Sequence, residues 1–203
     1  MKQVYFFGAD CTDGTSSDYK LLGGKGANLA EMTNIGLPVP PGFTITTDCC
    51  ISYLKKHVIS NSLIDDVSNA IHKIEKIMKF KFGDLDSPLL LSVRSGARQS
   101  MPGMMETVLN VGLTEKTIPG LVKIFKNERF VYDAYRRLIM MYADVVMEKS
   151  EGIILKKGEL SIRQELELIL HEIKEKNNIS YDSDLNVKLL KKICSLFKKK
   201  IKL

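Results

Sequence analysis

The sequence predicts an α+β protein in which a mixed α/β N-terminal part is followed by an all-α helical part. Short apolar or β-branched runs at residues 3–8, 43–47 and 88–93 are typical of strands, and all three lie in the first half of the chain. Beyond Gly112 the pattern changes to three long stretches with helical periodicity. We therefore expect an α/β part at residues 1–112 and a helical part at residues 113–203.

Composition is that of a folded globular chain: 44% of the 203 residues are hydrophobic and 27% are charged. No apolar run is long enough to span a membrane, and the first ten residues do not resemble a secretory signal. We therefore expect a cytoplasmic protein without a membrane partner. The net charge of +6 is densest at residues 198–200. Without interleaved aromatic residues, this basic end predicts a solvated helix face rather than a nucleic-acid site.

The N-terminal elements follow in order from local patterns. Residues 3–8 (QVYFFG) predict a strand, and the glycine-rich segment Gly23-Gly24-Lys25-Gly26 leads into a predicted helix start at Ala27. Prolines make LPVPPG, residues 37–42, a rigid extended turn before the second strand. Residues 62–78 form a helix with an apolar stripe, and PLLLSV at 88–93 is typical of a buried strand.

Three helices are predicted in the second half. The first, at 127–147, has its apolar face on Phe130, Ala134, Leu138, Met141 and Val145. Ser161 and Gln164 match a capping box at the start of the second, whose stripe is Ile162, Leu166, Ile169 and Ile173. The third begins near Asp184, with Val187, Leu190, Cys194, Phe197 and Ile201 on one side. We expect this last stripe to be exposed unless the helix folds back, which predicts self-association.

The segment Gly23-Gly24-Lys25-Gly26 is the first candidate for a phosphate site. Glycines let a backbone approach a phosphate closely, a helix N-terminus attracts anions, and Lys25 adds a full charge. The spacing is not that of a Walker A loop, because no Ser or Thr follows the lysine. Taken alone, the segment also fits a plain glycine turn with an exposed lysine.

The second candidate is SVRSGAR, residues 92–98, where Arg94 ends the predicted strand and Arg98 follows four residues later. A guanidinium group can bind two phosphate oxygens at once. Because the two arginines lie within five residues, both could face one anion, although a surface salt bridge fits equally well. The methionine-rich segment SMPGMMET, residues 100–107, could close over a ligand or fill a gap in the core.

Together these segments carry a resemblance to a known family. Four segments resemble the N-terminal nucleotide-binding part of pyruvate, phosphate dikinase. They occur in the family's order and at similar separations: GGKGANLAEM, GLPVPPGFTITT, LLLSVRSGAR and SMPGMMETVLNVGL. NERFVYDAYRRLIMMYADVVM and YDSDLNVKLLKKICSLFKKKI extend the resemblance over nearly the whole chain.

The resemblance implies an ATP-grasp-type nucleotide-binding domain and a phosphotransferase of the kinase class. In the family, ATP, phosphate and pyruvate become AMP, pyrophosphate and phosphoenolpyruvate. It implies that Lys25 and Arg94 contact the phosphates of ATP bound with Mg²⁺, with Arg98, Gly23, Gly24 and Gly26 as further candidates. The acidic Mg²⁺ ligands, the phosphate-carrying histidine and the pyruvate barrel of the family have no counterpart in this sequence. We therefore expect a fragment that holds one wall of an ATP site.

Three hypotheses follow for the function. The chain could be a truncated or split dikinase that works with a separately encoded remainder. It could be a non-catalytic nucleotide-binding module left from a truncated gene. It could also be an interaction protein that acts through its basic C-terminal helix. A downstream reading frame that begins near the ATP-grasp core would favour the first.

Overall fold

The computed structural model describes residues 2–9, 11–96, 107–149 and 158–201. The chain forms two compact units. The first consists of Met1–Phe82 with Arg94–Glu106, and the second consists of Gly83–Val93 with Thr107–Leu203. The two small antiparallel sheets and the predominance of helices confirm the α+β prediction.

The described part of the first unit contains two strands and three α-helices. In chain order they are β1 (Val4–Phe7), α1 (Tyr19–Asn34), β2 (Gly42–Ile45), α2 (Thr47–Lys56) and α3 (Asn61–Met78). The predicted strands and the predicted helix at 62–78 are thus confirmed. Ser60 caps α3 by accepting a hydrogen bond from the Leu63 N–H at 3.3 Å, which satisfies one of the free amides at a helix start.

Strands β1 and β2 pair antiparallel, with Val4 opposite Ile45 and Phe7 opposite Gly42. Helix α1 packs on one face of this pair so closely that a Cβ at Gly26 would lie 2.8 Å from the Thr44 side chain. Helix α3 packs on β1 and β2 as well, and its Lys73 ammonium lies 3.7 Å from the centre of the Phe6 ring. Because Phe6 and Thr44 lie on opposite faces of the ladder, the unit is a helix–sheet–helix sandwich.

The second unit contains a strand pair and four α-helices. They are β3 (Leu91–Val93), β4 (Val108–Val111), α4 (Ile118–Phe125), α5 (Glu128–Tyr142), α6 (Ile162–Lys176) and α7 (Val187–Ile201). A π-helical segment, Ala143–Lys149, continues α5. The capping box at Ser161 and Gln164 is confirmed, since the Gln164 N–H donates to Ser161 Oγ and the Ser161 N–H donates to Gln164 Oε1.

Helix α5 buries a face that only partly coincides with the predicted one. Val131, Tyr135, Leu138 and Ile139 are its buried apolar residues, whereas Phe130 is 50% exposed. The predicted stripe is confirmed at Leu138, which is buried, and at Ala134 and Val145, which pack half-buried against the core, but it is wrong at Phe130. The reason is that α5 contacts α4 and α7 and bears a buried arginine, Arg136, so that tertiary packing and not the sequence pattern alone chose its inner face.

Helix α7 folds back onto α5 and α6. Leu190, Ile193 and Phe197 have no exposed surface, and Cys194 and Ile201 are buried as well. The expectation of an uncovered apolar stripe is therefore wrong, and with it the reason for predicting self-association. The periodicity identified the buried face correctly, but it could not reveal that this chain supplies its own cover.

The hairpin of β3 and β4 belongs to the compact unit that contains the helices. A Cβ at Gly120 in α4 would lie 2.1 Å from the Leu85 carbonyl oxygen, so the segment before β3 packs directly on that helix. The edges of the compact units thus differ from the predicted boundary between residues 112 and 113. Whether the two predicted parts fold as separate domains stays a prediction.

Candidate functional site

A break at Gly23 divides helix α1 in two. Gly23 has φ 69° and ψ 167°, while the residues on both sides are helical. This region of conformational space is essentially restricted to glycine. The sequence predicted a glycine loop leading into a helix at Ala27; the structure replaces that loop with a single residue. A new helical segment therefore begins at Gly24, and Lys25 lies in its first turn.

Gly24 and Gly26 have different surroundings. Apart from its chain neighbours and the backbone of its own helix, no described residue has a heavy atom within 4 Å of a Cβ built at Gly24, so its backbone is open to approach. At Gly26 a Cβ would lie 2.8 Å from both Thr44 Oγ1 and Thr44 Cγ2. Gly26 is thus required by the packing of α1 on β2, whereas Gly24 is the glycine that a ligand could reach.

Lys25 connects α1 to the second candidate segment. Its side chain is exposed, and its Nζ donates a hydrogen bond to Ser95 Oγ at 3.1 Å. A Cβ at Gly96 would lie 3.8 Å from the Leu22 carbonyl oxygen, so residues 95 and 96 pass beside the break at Gly23. The two predicted segments therefore meet within the first unit. Ser95 was not singled out in the sequence, although it lies between Arg94 and Gly96 in one of the quoted motifs.

Arg94 follows directly after β3 and is exposed. No hydrogen bond or ion pair joins its side chain to another residue of the described ranges, so its guanidinium can meet a ligand. The strand before it is shorter and more open than predicted, because Ser92 and Val93 are exposed and only Pro88 and Leu89 are buried. The expectation that Arg94 ends a fully buried strand is therefore wrong. Arg98 and the methionine-rich segment up to Glu106 lie outside the described residues.

Thr47 contacts the short helical segment that precedes the break at Gly23. Its hydroxyl donates a 2.7 Å hydrogen bond to the Lys20 carbonyl oxygen, in the short helical segment that precedes Gly23. This contact ties the first residue of α2 to α1 where the helix is interrupted. No sequence pattern indicates this contact, because the two residues are far apart in the chain.

The arrangement suits an anion better than a metal ion. Within the ranges that the structure describes, no group of three or more His, Cys, Asp or Glu side chains could hold a metal. Lys25 and Arg94 offer positive charge, and Gly24 offers an open backbone. These groups are of the kind that binds the phosphates of a nucleotide.

A separate cavity lies entirely in the second unit and contains none of the predicted site residues. Tyr132, Tyr135, Lys191, Cys194 and Lys198 are among its lining residues. Burial raises the pKa of the Cys194 thiol to about 12, so it is protonated at neutral pH and is not a nucleophile. The two lysines pair with Glu128 and Glu115.

None of the helices in the described part of the chain is long and apolar enough to cross a membrane.

Comparison with known proteins supports the resemblance. The family model described as "Pyruvate phosphate dikinase, AMP/ATP-binding domain" matches residues 19–64 and 52–147. The chain belongs to this family. Both Lys25 and Arg94 lie inside the matched residues.

Similar proteins are themselves dikinases. Pyruvate, phosphate dikinase of Clostridium symbiosum is 44% identical over 198 residues, which is 97% of this chain and 21% of that protein. The Rhizobium meliloti (strain 1021) dikinase is 55% identical over 147 residues, 72% of this chain and 16% of that protein. Pyruvate, phosphate dikinase 2 of Oryza sativa subsp. japonica is 45% identical over 179 residues, 86% of this chain and 20% of that protein. The chain thus spans about a fifth of the length of these dikinases.

Proposed function

We propose that this chain supplies the triphosphate-binding part of the ATP site of a pyruvate, phosphate dikinase. The complete reaction would convert ATP, phosphate and pyruvate into AMP, pyrophosphate and phosphoenolpyruvate. The observation that carries the proposal is the hydrogen bond from Lys25 to Ser95. It joins the glycine break in α1 to the residue next to Arg94, within one compact unit and inside the matched family region.

Each site residue has a distinct role in this proposal. Lys25 is a mobile point charge that can leave Ser95 and follow a phosphate oxygen. Arg94 presents a planar guanidinium that can bind two phosphate oxygens at once, and Arg98 is a further candidate for the same anion. Gly23 and Gly24 let the phosphates approach the backbone at a helix start, with Gly26 next to them. The effect on the reaction would be electrostatic, as is general in phosphoryl transfer.

The remaining groups would come from other parts of a dikinase. We propose that a separately encoded remainder, or the continuation of the polypeptide, completes an ATP-grasp-type domain and provides the Mg²⁺ ligands. On this view the chain by itself is a nucleotide-binding fragment and not an active kinase. The alternative, a non-catalytic binding or interaction module left from a truncated gene, differs in that no such remainder is needed. The cytoplasmic location stays a prediction.

Calorimetric titration of the chain with MgATP tests the proposal. We expect weak binding, about millimolar, which corresponds to roughly 4 kcal/mol. Lys25→Ala and Arg94→Ala should each weaken it by about tenfold or more, the loss of one charge-assisted contact. Arg94→Lys should recover only part of the loss, because a lysine cannot bind two oxygens in the guanidinium geometry.

The matched control is Lys55→Ala, which removes the same charge from an exposed position on α2. It should change the affinity less than twofold, an effect on the order of general charge screening. Binding that is indifferent to both Lys25→Ala and Arg94→Ala would contradict the proposed site.

A further inference from the structure

The backbone of β2 has one hydrogen-bonding edge that points away from β1. The direction follows from Phe6, whose N–H donates to Asp13 Oδ2 at 2.8 Å and whose carbonyl accepts from the Asp13 N–H at 2.9 Å. Phe6 therefore directs its backbone groups away from β2. In an antiparallel pair, the backbone N–H and C=O groups of two directly opposite residues either all point toward the partner strand or all point away from it. Phe43, which lies opposite Phe6, must also point outward.

The same alternation assigns the rest of the strand. The Thr46 N–H donates to the Gln3 carbonyl at 3.0 Å, so the backbone of Thr46 points toward the chain that forms β1. Ile45, between Thr44 and Thr46, therefore shares the outward direction of Phe43. Across the described ranges, no hydrogen bond is made by the backbone groups of Phe43 or Ile45, and the Ile45 residue is 43% exposed.

The two edges of this small sheet are thus treated differently. The outer edge of β1 is covered at Phe6 by the Asp13 segment, while no described residue bonds to the backbone at the outer edge of β2. An open edge is a template for pairing with another strand. A two-stranded sheet is also marginal by itself, and here it carries a helix on each face, α1 and α3. A third strand beside β2 would extend a sandwich whose two outer layers already exist.

We propose that the outer edge of β2 receives a β-strand from the polypeptide that supplies the rest of a dikinase. This rests on the proposed function, in which such a remainder completes the ATP site. The recognition would be main-chain pairing to Phe43 and Ile45, with side-chain contacts to the exposed face of Ile45. The strand β2 runs directly into Thr46 and α2, so this pairing would also help to hold Thr47 against the break at Gly23.

A second copy of this chain is the less suitable occupant. Two four-residue strands paired edge to edge would bury far less than the roughly 1,200 Å² typical of stable complexes. The net charge of +6 also opposes association between copies. The dikinases, in contrast, contain about four fifths of their length beyond the matched part.

Hydrogen exchange with a defined probe tests the proposal. The probe is the Clostridium symbiosum dikinase from which the fifth that matches this chain has been deleted. We expect the amides of Phe43 and Ile45 to exchange rapidly in the chain alone and to slow by about a hundredfold when the probe is added. The Thr44 amide, which already bonds to β1, should be protected in both samples. A chimera in which this chain replaces the matched segment of the same dikinase provides the second measurement if the deleted probe does not fold.

Two variants separate the backbone from the side chain. Ile45→Pro removes the outward N–H, and proline is tolerated in edge strands where that N–H faces solvent. Ile45→Ala removes a similar amount of apolar surface but keeps the N–H. We expect Ile45→Pro to weaken binding of the probe at least tenfold and Ile45→Ala less than threefold. Protection of Thr44 in each isolated variant verifies that the hairpin is intact.

The outcomes distinguish this proposal from the proposed function. Unprotected Phe43 and Ile45 amides in both the mixture and the folded chimera would overturn the strand pairing, whatever the nucleotide titration gives. Protection that appears in the chain alone as its concentration rises would assign the edge to a second copy and would also overturn it. If the Phe43 and Ile45 amides are protected as expected but neither Lys25→Ala nor Arg94→Ala weakens nucleotide binding, the strand pairing stands and the phosphate site is refuted.

Discussion

Arg136 is, with Asp144, one of the two charged residues that are buried in the described part of the second unit. It is 3% exposed, and its Nη2 donates to Asp133 Oδ1 at 2.8 Å and to Asp182 Oδ2 at 3.0 Å. Its partners are held by further cations, since Arg137 pairs with Asp133 and Lys174 pairs with Asp182. This network ties α5 to the short 3₁₀ turn Asp182–Asp184, which leads into α7.

Removing Arg136 should be costly for the second unit. Arg136→Met leaves two carboxylates short of a partner in a mostly buried position, which we expect to cost about 3 kcal/mol. The matched control is Arg137→Ala, because Arg137 also pairs with Asp133 but its side chain is 60% exposed. That change should cost less than about 1 kcal/mol. Hydrogen exchange of the α5 and α7 amides measures both values, and equal effects of the two substitutions would contradict the assignment.

Asp182 should make the stability of the second unit depend on pH. Burial raises the pKa of its carboxyl, but the hydrogen bond from Lys174 and the charges of Arg136 and Lys174 outweigh this, so the pKa lies below its ordinary value. A lowered pKa in the folded state stabilises the fold above the unfolded pKa of about 4, and that contribution is lost as pH falls through the folded value. Below that range the carboxyl is protonated in both states.

We therefore expect Asp182→Asn to be less stable than the wild type by a constant amount between about pH 5 and 7, and by less below about pH 4. Exchange rates of the α5 amides, measured at several pH values, report the difference. Asp184→Asn removes a charge from the same turn without touching Arg136 or Lys174, so it controls for net charge. A difference for Asp182→Asn that is the same at pH 3 and pH 7 would refute this interpretation.

At the scale of elements, helix α1 combines a strained position and an open one in adjacent glycines. Gly23 has a positive φ, while Gly24 is helical and has free space where a Cβ would be. Gly23→Ala should therefore destabilise the first unit by about 1–3 kcal/mol, because alanine avoids that conformation. Gly24→Ala should leave stability unchanged or raise it by up to about 1 kcal/mol, since it restricts the unfolded chain.

The same pair of variants tests the phosphate site. The methyl group of Gly24→Ala lies where a phosphate would approach the backbone, so it should weaken MgATP binding in a chain that is at least as stable as the wild type. Urea unfolding and calorimetric titration of the two variants give both quantities. Unchanged affinity in Gly24→Ala would indicate that the ligand does not approach this helix start.

At the scale of the whole molecule, the chain should not catalyse the dikinase reaction by itself. The reason is that it spans only about a fifth of the length of the dikinases it resembles. We expect no phosphoenolpyruvate from ATP, phosphate, pyruvate and Mg²⁺ with the purified chain, measured by ³¹P NMR. The full-length Clostridium symbiosum dikinase, under the same conditions, is the positive control. Formation of phosphoenolpyruvate at a comparable rate by the chain alone would contradict the interpretation as a fragment.

The sequence by itself determined the fold class, most element positions and the family. The apolar period of the strands and of α7 and the capping box at Ser161 are patterns of residues close together in the chain, so the sequence shows them directly. The motifs around Lys25 and Arg94 identified the nucleotide-binding family for the same reason, since each is a short run of consecutive residues. Their role in binding phosphate stays a proposal.

Tertiary structure decided what depends on residues distant in sequence. The inner face of α5 follows from its packing against α4 and α7, and α7 is covered because the chain turns back at residues 182–184. The meeting of Lys25 with Ser95 joins residues 70 positions apart. The outward edge of β2 likewise follows from how β1 bonds to Asp13. A local pattern states which side of an element is apolar, but only the assembled chain fixes what that side, or a free backbone edge, will contact.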